Sequence, residues 1–127
     1  MDISPGYIRM CGGAAEIQGQ WRPDFGDFYV SMSLDIPSPC QTVCSDLETQ
    51  LSYLKTLKAV WLPRQDQLQE MVMENHATPW DLAIAFSNLL MSDNSLYFDG
   101  FDSMEKLWLG FIMLNKYGRK WKDGEWK

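Results

Sequence analysis

The sequence predicts an α+β fold: a helix-rich single domain over residues 1–127, with three or four helices packed on a small antiparallel sheet. Three observations lead there. Ser4-Pro5, Thr78-Pro79 and Ser103 each place a capping residue ahead of a helically spaced apolar run, and the two prolines suit a first helical turn. Asp27–Ser33 (D-F-Y-V-S-M-S) and Lys58–Leu62 (K-A-V-W-L) are short runs rich in strand formers. Asp123-Gly124 is the favoured two-residue turn of a β-hairpin.

In chain order, Tyr7, Ile8, Cys11, Ala14, Ala15 and Ile17 predict a first helix over Tyr7–Gln20. Gly12, Gly13 and Gly19 weaken it by about 1 kcal/mol each relative to alanine. Asp27–Ser33 follows as a strand, with Phe28, Val30 and Met32 on one face, Tyr29, Ser31 and Ser33 on the other, and one face expected to be buried. Asp35–Cys44, with Pro37 and Pro39, reads as a connection. Ser45 and Glu48 then form a capping box, and Leu47, Leu51, Leu54 and Leu57 predict a helix over Ser45–Leu57.

Trp61–Met71 is the join of the fold. Lys58–Leu62 is expected to pair with Phe28–Met32, and Pro63 ends the ladder and opens a helix. Leu68, Met71 and Val72 make its apolar stripe, whereas Arg64, Gln65, Asp66 and Gln69 form a polar face that is either solvated or a recognition surface. Trp80–Met91 is apolar nearly all round, which predicts burial on more than one side. Ser92–Asp102 reads as a loop carrying Tyr97, Phe98 and Phe101, aromatics that either cap a core or form a binding lip. Met104–Tyr117 is a further helix, ended by Gly118, and its apolar excess is either buried against the preceding apolar helix or shared in a homo-oligomer. In the closing hairpin Trp121 and Trp126 fall on one face.

Composition bounds the function. A chain of 127 residues, 46% apolar and 13% aromatic, buries about two-thirds of its unfolded surface and is not intrinsically disordered. No apolar run reaches the roughly 20 residues of a membrane helix, and Met1–Gly13 lacks the basic start and apolar core of a signal peptide, so a cytoplasmic protein is expected. Cys11, Cys40 and Cys44 read as reduced thiols rather than a zinc set, since His76 is the lone histidine. Net charge is −6, divided into +3 over residues 116–127 (five basic, two acidic) and −9 over residues 1–115 (six basic, fifteen acidic). The acidic body argues against nucleic-acid binding except through the basic tail, where Trp121 and Trp126 could stack on bases.

Catalytic motifs are not apparent. His76 has no nucleophile setting beside it, Cys11-Gly12-Gly13 lacks the lysine of a phosphate loop, and Asp99-Gly100 reads as turn chemistry. No catalytic residue, cofactor or metal site is assigned, and a non-enzymatic role is the expectation.

Three segments carry a resemblance: W-R-P-D-F-G-D-F-Y (21–29), W-L-P-R-Q-D-Q-L-Q-E-M (61–71) and S-M-E-K-L-W-L-G-F-I-M-L-N-K-Y-G-R-K-W (103–121). The chain resembles small proteins encoded by phages and prophages of Gram-positive bacteria, a set with no assigned reaction and no defined catalytic residues. Pro37–Lys58 lies outside the resemblance, which implies a genomic setting and no mechanism. The reading that follows is a phage or prophage accessory protein that binds a host or phage protein, for example as an inhibitor of a host system. The alternative is a small-ligand or nucleotide-binding protein with a pocket beneath the aromatic segment 96–101, anchored by Arg64, Gln65, Asp66 and His76.

Overall fold

The computed structural model describes residues 1–32, 39–43, 54 and 58–127. Apart from Leu54, the helix expected over Ser45–Leu57 lies outside the described residues, as do Cys44 and most of the connection before it. The protein is helix-rich α+β with a small antiparallel sheet, and the described residues carry six helices and five strands. They form two compact units, Ile3–Pro63 and a second made of Met1–Asp2 with Arg64–Lys127.

In the first unit, α1 (Pro5–Gly13) begins where the Ser4 hydroxyl accepts the N–H of Tyr7 at 3.2 Å. The helix expected to run on to Gln20 stops instead, and α2 (Ala15–Gln18) restarts after Ala14, whose ψ of 74° is not helical. The adjacent Gly12 and Gly13 explain the break, because they contribute least to holding helical dihedrals. Ala14 and Ile17 are both fully buried.

β1 (Phe28–Ser31) is the centre of a three-stranded sheet, flanked by β2 (Gln41–Thr42) and β3 (Ala59–Leu62), both antiparallel to it. The expected pairing with β3 is present, in the register Phe28↔Leu62, Tyr29↔Trp61, Val30↔Val60 and Ser31↔Ala59. β2 lies inside the stretch that reads as connection, since two residues are too short for a periodicity to show. β1 is covered on both faces rather than one. Tyr29 packs with Val43, Leu54, Trp21 and Ala59, and Val30 on the opposite face is fully buried. Helix α1 lies along β3, where the Tyr7 hydroxyl donates to the Pro63 carbonyl at 2.6 Å.

The outer edge of β3 is closed by a side chain. Gln18 Nε2 donates to the Trp61 carbonyl and Gln18 Oε1 accepts the Trp61 N–H, each at 2.9 Å. One primary amide thus satisfies the donor and the acceptor that an edge strand would leave open.

In the second unit, α3 (Gln65–Met73) begins with Gln67 Oε1 accepting the Arg64 N–H at 2.9 Å, and buries Leu68 and Val72 as its stripe predicts. α4 (Pro79–Leu90) is capped by Thr78, whose hydroxyl accepts the Asp81 N–H at 3.2 Å. The segment read as a loop contains a short helix, α5 (Ser95–Asp99). Five residues are too few to produce a helical repeat of apolar positions. α6 (Met104–Tyr117) is capped by Ser103 and buried continuously from Trp108 to Met113. It ends at Gly118, left-handed at φ 67°, where the Arg119 N–H reaches the Met113 carbonyl at 3.0 Å.

Helices α3 and α4 both pack on α6. The Phe86 ring stacks on Trp108 with centroids 3.9 Å apart, and both meet Phe111 edge-on. β4 (Trp121–Lys122) and β5 (Glu125–Trp126) pair around Asp123-Gly124, both at positive φ, as the Asp-Gly turn predicts. This hairpin is a sheet of its own and extends no edge of the first.

Candidate functional site

The burial of α4 overturns its sequence reading. Only Leu82 among its residues is buried, at 5% exposure, whereas Trp80 is 72% exposed and Ile84 44%. Met91 and Leu96, just beyond the helix, are 81% and 88% exposed. The sequence predicts burial on more than one side; α4 finds α3, α5 and α6 within its unit, yet only Leu82 is buried and one flank is left bare. Positions 80, 84 and 91 recur at spacings of four and seven, so the bare residues share one helical face.

A groove of about 440 Å³ lies between α3 and α4. Asp66, Gln69, Glu70 and Met73 line one wall, spaced so that a single face of α3 supplies all four. Pro79, Leu82 and Ala83 of α4 line the other, and Trp108 of α6 completes it. Trp108 is 5% exposed, and its indole N–H has no acceptor among the described residues.

Carboxylates predominate around the groove, with the Arg64 guanidinium beside Asp66. Residues 65–105 contain eight aspartates and glutamates and no lysine or arginine. Some of these carboxylates are matched from outside the stretch: Asp66 pairs with Arg64 at 3.1 Å and Glu74 with Lys116 at 3.6 Å. Lys106 lies 2.6 Å from Asp102, and its hydrogen bond and charge hold that carboxyl below its ordinary range. Glu70 and Asp81 are exposed and have no ion pair among the described residues.

The residues singled out in the sequence fall in three places. Asp66 and Gln69 line the groove, Arg64 reaches it only through its ion pair with Asp66, and Gln65 lies outside its lining. Phe98 and Phe101 line a second, shallower hollow of about 300 Å³ with Leu90, Ser95, Asp99 and Leu107. Arg64, Gln65, Asp66 and His76, the anchors expected for a pocket at the aromatic segment, do not line that hollow. Tyr97 meets both phenylalanines edge-on and holds the hairpin, its hydroxyl accepting the Trp121 N–H at 2.9 Å. Trp121 and Trp126 face each other across the hairpin with centroids 5.2 Å apart. Lys120 Nζ lies 5.5 Å from the centroid of the Tyr97 ring.

Sequence reasoning missed Trp80, Ile84, Met73 and Trp108 as site residues. Each reads as core by composition, and no single-sequence pattern separates a buried tryptophan from one left on the surface. Chemically, the groove offers apolar wall area, two carboxylates and an amide. Among the described residues no helix is long and apolar enough to cross a membrane.

Fold and site together define a small helix-rich α+β protein with a partly apolar groove that carries carboxylates on one wall. The chain matches no family model, and no curated protein or solved structure is significantly similar to it.

Proposed function

We propose that the protein acts by binding another protein, as an accessory factor in the phage or prophage setting that its sequence resembles, with a host-system component as the target. The observation that supports this is the bare flank of α4, where Trp80 and Ile84 stand in solvent. Exposed aromatics of this kind are the residues on which protein interfaces concentrate their binding energy. Trp80→Ser with Ile84→Ser removes that apolar surface without touching the buried Leu82, so melting is expected to stay within about 1 kcal/mol of the parent. Affinity capture from a Gram-positive host, quantified by mass spectrometry, is expected to recover a partner with the parent chain and lose it with the double variant. Equal recovery with both chains, or none with either, counts against the reading.

The ligand-binding alternative has one supporting observation, the hollow lined by Phe98 and Phe101. A thermal-shift screen against nucleotides and metabolites separates the two, because a ligand held there raises the melting temperature by mass action.

A further inference from the structure

Building on the protein-binding reading above, we infer that the partner presents a basic amphipathic α-helix, which lies in the groove between α3 and α4. Two helices with an open seam between them form a natural seat for a third, with guest apolar residues at every third or fourth position entering the seam. The wall on α3 runs from Asp66 to Met73, about 11 Å, so it accommodates roughly two turns of guest helix.

The walls differ in chemistry, and this fixes the character of the guest. Met73, Leu82, Ala83 and Trp108 provide apolar contact. Asp66 and Glu70, one helical turn apart on α3, put carboxylates along that rim; Asp66 is paired with Arg64, and Glu70 has no ion pair among the described residues. A guest with lysine or arginine flanking its apolar stripe meets attraction at this rim. A second copy of this chain docking through the same face is the less suitable occupant, since it would bring another segment like 65–105, with eight acidic residues and no basic ones, toward the same rim.

The test uses the full chain and two labelled 14-residue helical peptides of the same apolar pattern, one of leucine and lysine, the other of leucine and glutamate. Fluorescence anisotropy is expected to show the lysine peptide binding roughly tenfold or more tighter than the glutamate peptide. Asp66→Lys with Glu70→Lys should weaken the lysine peptide by roughly tenfold. Asp93→Lys with Asp99→Lys, which changes net charge equally outside the groove, should leave it within about twofold. Equal effects of the two charge-reversed chains would mean that net charge alone attracts the peptide, and overturn the inference. So would equal affinity for both peptides; in that case loss of host-protein capture in the Trp80 and Ile84 variant would still uphold protein binding through the α4 flank. Sedimentation showing a dimer that Ala83→Lys, a substitution in the groove wall, dissociates would assign the groove to a second copy and overturn the inference likewise.

Discussion

Gln18 does the work of a strand with one side chain. Its amide donates to the Trp61 carbonyl and accepts the Trp61 N–H, both at 2.9 Å. Gln18→Ala leaves both backbone groups of a 5%-exposed residue without that partner, and a loss of about 1–3 kcal/mol is expected in urea unfolding. Gln18→Glu should fall between the two, because a carboxylate still accepts the N–H but cannot donate to the carbonyl. Tyr97 makes a second residue-scale prediction. Burial raises its phenol above the ordinary value of 10.0, with the Trp121 N–H hydrogen bond a smaller opposing effect. The folded state therefore favours the neutral phenol, so the stability it contributes is complete below the ordinary value and lost as pH rises through the raised one. Unfolding titrations of the parent should show an alkaline loss that Tyr97→Phe lacks. Equal alkaline slopes in both would show that Tyr97 is not responsible.

At the scale of elements, α6 shows how an apolar helix is fitted rather than merely buried. A methyl group placed on Gly110 would lie 2.6 Å from Cε2 of Phe101, a ring already held edge-on by Tyr97. Gly110→Ala gains up to about 1 kcal/mol of helix propensity but overpacks by about 1–3 kcal/mol, so a net destabilisation is expected. Repeating the substitution in a Phe101→Ala background should shrink or reverse that loss, and an unchanged loss would sink this account of the contact. α6 and α4 have similar apolar content in sequence, yet α6 is buried over six consecutive residues and α4 at Leu82 alone. Helix starts were legible because caps are local: Ser4, Thr78 and Ser103 each accept the backbone N–H three residues on. The break at Ala14 and the short α5 were not, because neither leaves a repeat long enough to count.

For the whole chain, the net charge of −6 is concentrated unevenly, and the +3 of residues 116–127 is partly spent on internal contacts. Lys116 pairs with Glu74, Lys127 with Asp123 and Glu125, and Lys120 lies near the ring of Tyr97. Trp121 and Trp126 contact each other, which uses faces that base stacking would need. A labelled single-stranded oligonucleotide is accordingly expected to show no binding even at low salt, and a salt-sensitive anisotropy rise would refute this. The sequence by itself determined the α+β class, the β1–β3 pairing, the capped helix starts, the Asp-Gly hairpin and the acidic balance, since each follows from local dihedral preference, hydrophobic period or composition. Only the tertiary structure decided that Gln18 closes an edge, that Asp66 and Gln69 line a groove while Phe98 and Phe101 line another hollow, and that Trp80 stands in solvent. Hydrophobic period states which residues can be buried; which of them are buried depends on how many neighbours each element finds, and that is a property of packing between segments distant in the chain.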